Sequence, residues 1–178
     1  MAAFPLWPGA KARGRGVYYI FCDGGAEPLP PAEFDGAPQT PAAATVGPAG
    51  CAAIAYLPSG ELSQWSYRAL PSMTNVEAEY AGLILGLELA QRRRAAAPVF
   101  LLDSITVVGQ MSGRYAVHSA RLLVWHRQAR AAWRGLAGAR ICYIPRAWNA
   151  TADALARQAR LPWPALRQWV EREEGSGQ

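Results

Sequence analysis

VYYIFCDGG, residues 17–25, decides how the rest of the chain is read. Val17 to Cys22 is an unbroken β-branched and aromatic run, the pattern of a buried strand, and it stops at Asp23-Gly24-Gly25, a turn signal. A first strand therefore ends at a carboxylate. The arrangement returns at Pro98 to Leu102, a second buried run that ends at Asp103. Between them, Cys51–Leu57 and Glu61–Leu70 flank Pro58-Ser59-Gly60 and predict an antiparallel hairpin. From Asn75 to about Arg93 the apolar residues repeat at helical period. Val76, Leu83, Leu87 and Ala90 share a face, Glu77, Glu88, Gln91 and Arg92 are expected away from it, and Glu79 falls on it.

Beyond Asp103, Ile105 to about Met111 predicts a short helix closed at Gly113. Ser119 caps a longer helix whose buried stripe is Leu122, Ala129, Trp133 and Leu136. Ala139–Pro145 reads as a fifth strand, and Asn149 is a good N-cap for a helix reaching about Arg160. Pro162-Trp163-Pro164 then precedes a short tail helix bearing Leu166, Trp169 and Val170. Three strands joined in sequence, followed by strands alternating with helices, predict an α/β fold: a five-stranded mixed sheet flanked by helices. The expected organisation is a tail at 1–16, one domain at 17–160 carrying a long Pro/Ala/Gly-rich loop at 26–50, and an extension at 161–178.

A chain of 178 residues with 51% apolar content and seven tryptophans can bury a core without covalent staples. Cys22, Cys51 and Cys142 are odd in number and lack metal-ligand spacing, so reduced core thiols are expected. No run approaches the roughly 20 apolar residues of a membrane span, and the N-terminal residues do not follow a signal-peptide pattern, so a soluble cytoplasmic protein is expected. Lys11, Arg13 and Arg15 make a basic start, read as a tail rather than an organelle signal. The net charge is +5, and its distribution says more. Ser104 to Ala152 contains no Asp or Glu but includes Arg114, Arg121, Arg127, Arg130, Arg134, Arg140 and Arg146. Such a surface faces a polyanion, and nucleic acid is the expected partner.

Each acid has an ordinary explanation when taken alone. Asp23 opens a turn, Asp103 stops a strand, and Asp153 sits near the first turn of a helix, where the dipole favours it. Glu79 is different, because a carboxylate on a buried helix face is costly unless paired or metal-bound. In an open sheet, groups at the carboxyl ends of neighbouring parallel strands converge, so Asp23 and Asp103 meet if their strands are adjacent. Several carboxylates gathered there would take up protons unless divalent cations neutralise them. Oxygen-only ligands suit Mg²⁺ or Mn²⁺ rather than zinc. His118 and His126 lie apart from these motifs and are read as ordinary residues at the start and on the surface of a helix.

Four segments carry a resemblance: FCDGG at the end of the first strand, TNVEAEYAGLILGLELA in the first helix, LLDSITVVGQMSGRYAVHSARLL after the fourth strand, and IPRAWNATADALARQA at the last helix. Over about Val17 to Gln158 the chain resembles type 1 ribonuclease H, in its compact archaeal and bacterial forms. The resemblance implies the ribonuclease H-like fold and an enzyme that cuts the RNA strand of an RNA/DNA hybrid, leaving 5′-phosphate and 3′-hydroxyl ends; nothing in the sequence pattern demands a partner, so a monomer is expected. It assigns Asp23, Glu79, Asp103 and Asp153 to two Mg²⁺ ions, with Mn²⁺ as the alternative, and Gly24, Gly25 and Asn75 to contact with RNA. Arg146 stands where many members carry a histidine and is the candidate phosphate contact. Val76 replaces a frequent second asparagine, and the loop at 26–50 is longer than usual. The Gly109–Arg121 segment is too short for the basic protrusion of some relatives, which leaves Arg127, Arg130 and Arg134 of the following helix, or the 26–50 loop, to grip the substrate.

Other functions would leave other marks. A proofreading-type exonuclease usually carries a second acid two residues after the first, where this chain has Gly25. A junction resolvase or transposase-like enzyme shares the fold. A catalytically silent nucleic-acid-binding module would be expected to lack one or more of the carboxylates. An assembly protein docking on an acidic partner would explain the charge but not Glu79.

Overall fold

A computed structural model describes residues 17–27 and 46–160. In chain order these form β1 (Val17–Ala26), β2 (Gly47–Tyr56), β3 (Leu62–Met73), α1 (Asn75–Arg92), β4 (Ala96–Leu102), α2 (Ile105–Met111), α3 (Ala120–Trp133), β5 (Arg140–Tyr143), a 3₁₀ turn at Arg146–Trp148, and α4 (Ala150–Arg160). The five-stranded sheet has the order β3-β2-β1-β4-β5. β1 pairs antiparallel with β2 and parallel with β4, while β2–β3 is antiparallel and β4–β5 parallel. The expected mixed α/β sheet is present, and the parallel register of β1 and β4, with Phe21 beside Leu101, brings Asp23 of β1 alongside Asp103 just past β4.

Strand alternation assigns the faces. Ile20, Cys22, Ala53 and Ala55 enter the main core with Leu83, Leu87 and Phe100, on the side that α1 covers. Gly25 and its partner Gly50 turn the other way, where Gly50 meets Ala156 and Ala159 of α4. α1 and α4 therefore flank the sheet on opposite faces.

Several boundaries differ from the sequence expectations. β1 continues to Ala26 and β2 begins at Gly47, with Gly24, Gly25 and Ala26 paired to Cys51, Gly50 and Ala49, so strand occupies both ends of the expected 26–50 loop. In Gly47-Pro48-Ala49-Gly50, Gly50 is bare because α4 approaches closely there, where a Cβ would collide with the Ala156 carbonyl, while Ala49 packs with Met73 and Ala78 on the other face. α3 stops at Trp133, and Leu136 is buried in the turn beyond it rather than in the helix. α1 is buried nearly all round, since the sheet lies on one side and α3 packs on the other. Glu77, expected to face away from the core, is consequently only 4% exposed. The 1–16 tail, the 161–178 extension with its Pro162-Trp163-Pro164 stop and tail helix, and most of the 26–50 loop lie outside the described residues.

Candidate metal centre and nucleic-acid interface

Backbone contact sets the distance between α1 and β1. A Cβ on Gly24 would overlap the Ala78 carbonyl, and one on Gly82 would overlap the carbonyl of Asp23. Only glycine admits that approach, and it brings Glu79, between those two contact points on α1, down beside Asp23. Asp103 follows the last residue of β4, the parallel neighbour of β1. One carboxylate oxygen each from Asp23, Glu79 and Asp103 lies within 4.8 Å of the others.

The electrostatics of this trio are strained in the absence of a cation. Burial, then the neighbouring Asp103 and Asp153, push Asp23 up to about 7, although Arg146 pulls the other way. Burial, then Asp23 and Asp103, hold Glu79 well above the ordinary carboxylate range. Glu79 Oε2 is buried without a hydrogen-bond partner among the described residues. Crowded carboxylates with an unmet buried acceptor fit a divalent cation bound through oxygen.

Asn149 supplies a part of the centre that the sequence reading missed. It was expected to cap α4 with its side chain, yet it is 1% exposed and its Nδ2 donates to the Cys22 carbonyl at 3.0 Å and to Asp103 Oδ1 at 2.6 Å. It thereby ties β1 to the carboxylate after β4. Its backbone carbonyl still accepts from the Asp153 N–H, so the helix begins at the expected place. The spacing of four residues from Asp153 marks a helix start, but nothing in it signals a side chain turned into the sheet.

Asp153 stands outside the trio, in the first turn of α4, close enough to raise Asp23. Its Oδ1 accepts from Arg146 at 3.3 Å, and Oδ2 pairs with Arg157 at 2.9 Å. Arg146, the candidate phosphate contact, is therefore an ion-pair partner here, with its side chain 72% exposed. The i,i+4 spacing of Asp153 and Arg157 on α4 is the sequence signal for the second pair.

The expected RNA-contacting positions border the centre. The Ala26 N–H donates to Asn75 Oδ1 at 3.2 Å, which ties the start of α1 to the end of β1. The same helix start is held by a capping box in which the Thr74 hydroxyl accepts from the Glu77 N–H and Glu77 accepts from the Thr74 N–H. Arg121 of α3 closes the assembly with a two-pronged pair, Nε to Glu77 Oε1 at 3.0 Å and Nη2 to Oε2 at 2.9 Å. Burial alone would raise Glu77; the donors from Thr74 and the Arg121 guanidinium keep it below its usual range. Arg127, Arg130 and Arg134 are all exposed along and just beyond α3, and Arg130 also donates to the Met111 carbonyl at 3.2 Å. The histidines stay apart: His118 is exposed, and His126 packs edge-on against Tyr80.

Known proteins share this fold. Residues 35–159 match the profile of the reverse transcriptase-like family. The N-terminal ribonuclease H domain of Rv2228c from Mycobacterium tuberculosis aligns with a TM-score of 0.69 at 32% identity, over 86% of this chain and 98% of that one. The chain belongs to the type 1 ribonuclease H family. A second type 1 ribonuclease H, from the halophilic archaeon Halobacterium salinarum NRC-1, aligns at 0.67 with 26% identity, over 82% and 97% of the two chains. A third, isolated from compost and solved with an RNA/DNA hybrid, gives 0.66 with 27% identity over 80% and 96%. In sequence, 115 residues are 40% identical to the bifunctional protein Rv2228c, covering 64% of this chain and 31% of that protein. The chain thus spans about a third of the length of the curated relatives it matches. Among its described residues no helix is long and apolar enough to cross a membrane.

Proposed function

We propose that this protein is an endoribonuclease that hydrolyses the RNA strand of RNA/DNA hybrids with two divalent cations, Mg²⁺ in the first instance and Mn²⁺ as the alternative. The observation that carries the reading is the convergence of Asp23, Glu79 and Asp103 oxygens within 4.8 Å, with Glu79 Oε2 buried and unpartnered. In this reading Asp23, Glu79 and Asp103 hold the cations, and Asp153 joins them by releasing one of its arginines. Bound cations of this kind supply activation of the attacking water and charge stabilisation at the leaving 3′-oxygen. The chain's own residues do the rest. Asn149 orients the Asp103 carboxylate, Asn75 with the backbone at Gly24 and Gly25 meets the 2′-hydroxyls that distinguish RNA from DNA, and Arg127, Arg130 and Arg134 face the phosphates. Arg146, drawn off Asp153, faces a phosphate near the point of cleavage.

The catalytic domain is taken as residues 17–160, acting as a monomer in the cytoplasm, where the buried free Cys22 and Cys51 stay reduced. The test is incubation with a hybrid labelled on either strand, with Mg²⁺ or chelator, alongside Asp103→Asn. Cutting confined to the RNA strand, leaving 5′-phosphate and 3′-hydroxyl ends and abolished by chelator or by the substitution, is the expected result. Equal cutting of duplex DNA would select another nuclease chemistry on the same fold. Tight hybrid binding without any metal-dependent cleavage would select a silent binding module.

A further inference from the structure

We propose that Arg160, together with Asn75 and the bare backbone of Gly25, forms a subsite for the phosphodiester next to the scissile one on the cleaved strand. The inference rests on the hybrid-cutting reading above and adds a residue to it. Asp23 and Gly25 are two apart on β1, so both face the same side of the sheet, about 7 Å apart at the ordinary rise of a strand. That is the scale of one nucleotide step, which makes Gly25 the natural floor for a neighbour of the phosphate held at Asp23.

Three observations place a cation above that floor. A Cβ built on Gly25 lies 3.8 Å from Arg160 Nη1 and 3.7 Å from Asn75 Oδ1, and meets no other described atom within 4 Å. Gly50, cross-strand from Gly25, lets the last turn of α4 seat on the sheet, since its Cβ would fall 2.9 Å from Ala159 Cβ and 3.0 Å from Arg160 Cγ. The Gly25–Gly50 pair thus clears a lane along which the Arg160 side chain reaches from α4 to β1. Finally, of the three arginines on α4 and the turn before it that lie near the centre, Arg146 and Arg157 are engaged with Asp153, whereas Arg160 makes no ion pair among the described residues. A cation at a helix C-terminus is favoured by the dipole alone, but the dipole does not account for a guanidinium laid over a side-chain-free stretch of β1. Arg160 then supplies the donors to an anionic oxygen over Gly25, while Asn75 Oδ1, which accepts from the Ala26 N–H, bounds the lane on its other side.

The experiment measures hybrid binding in the Asp103→Asn background, so that no cleavage intervenes, with Arg160, Arg160→Ala and Arg160→Lys compared across a salt series. Arg160→Ala is expected to weaken binding about tenfold, the scale of a lost charge-assisted hydrogen bond, and to reduce the salt slope by about one. Arg160→Lys recovers the slope but only part of the affinity, because a point charge replaces the fork. A single neutral methylphosphonate placed one nucleotide from the scissile position should cost the Arg160 protein the same factor and cost Arg160→Ala nothing further. Unchanged affinity and slope in Arg160→Ala, or additive losses from the two changes, would overturn the subsite. If Arg160→Ala folds poorly, Arg160→Gln, which keeps a long polar side chain and removes the charge, takes its place in the same methylphosphonate comparison. Failure of the parent reading looks different, since the unsubstituted protein would then show no Mg²⁺-dependent cutting confined to the RNA strand, whatever Arg160→Ala does to binding.

Discussion

Replacing Asp23 with Asn should stabilise the metal-free protein while abolishing cleavage. Asp23 ordinarily titrates at 3.8, and burial, followed by the charges of Asp103 and Asp153, pushes it up to about 7. A carboxyl whose folded pKa is raised binds protons more tightly folded than unfolded. The resulting destabilisation is therefore absent below about pH 4, grows as pH rises towards 7, and is complete above 7. Three pH units correspond to at most about 4 kcal/mol, shared with Glu79 because its charge and that of Asp23 repel each other. Asn keeps the shape and removes the charge, so a gain of about 2–4 kcal/mol is expected at pH 8 in chelator, or roughly 4–16 °C in melting temperature for a chain of this size. The gain should shrink to near zero at pH 4, where the wild-type carboxyl is already protonated. Saturating Mg²⁺ should raise the wild type and leave the variant nearly unmoved, since only the former binds the cations tightly. Urea or thermal melts at pH 4 and pH 8, each with chelator and with Mg²⁺, check this. A variant no more stable than wild type at pH 8 in chelator, or a gain of equal size at pH 4, would refute the claim that crowding at Asp23 opposes folding.

Four further outcomes follow from contacts around the same centre. Gly82→Ala drives a methyl into the Asp23 carbonyl and should cost about 1–3 kcal/mol in melts, with a larger loss of activity than of stability because Glu79 is displaced. Asn149→Ala removes both donors to Cys22 and Asp103; melts should fall by about 1–3 kcal/mol, and kcat should drop with KM little changed. Arg121→Ala leaves Glu77 buried and half-satisfied and should cost about 1–3 kcal/mol, most of which Arg121→Ala with Glu77→Gln restores, as a double-mutant cycle by urea titration will show. Reversing Arg127, Arg130 and Arg134 to Glu should weaken hybrid binding and flatten its salt dependence, measured by anisotropy; unchanged affinity at low and moderate salt would remove α3 from the interface.

The carboxylates at Asp23 and Asp103 were legible because each ends a run of β-branched and aromatic residues, and parallel neighbours in a sheet deliver such ends to one edge. Glu79 was legible from helical phase. That same phase misplaced Glu77, because a helix covered by a sheet and by α3 has almost no exposed face, and only the distant Arg121 reveals why a second acid is tolerated. The first half of β2 reads locally as loop for a related reason: Gly50 is bare to admit α4, and Ala49 is small against Ala78 of α1. Asn149 was placed correctly along the chain but given the wrong task, since a helix-start asparagine is ordinarily a cap and the carbonyl it reaches belongs to Cys22, far away in sequence. Short-range rules find where elements begin and end; they carry no information about which distant backbone a polar side chain will meet.

The glycine seam between α1 and β1 also dictates how this centre fails. A gap filled by side chains can be retuned by rotamer changes, so it softens gradually with heat or mutation. Where main chain rests on main chain at Gly24 and Gly82, there is no rotamer to adjust, and the spacing between Glu79 and Asp23 is held until helix and strand part company altogether. Cation affinity should accordingly persist up to the melting transition and vanish with it in a single step, making the centre a gauge for the integrity of the whole domain.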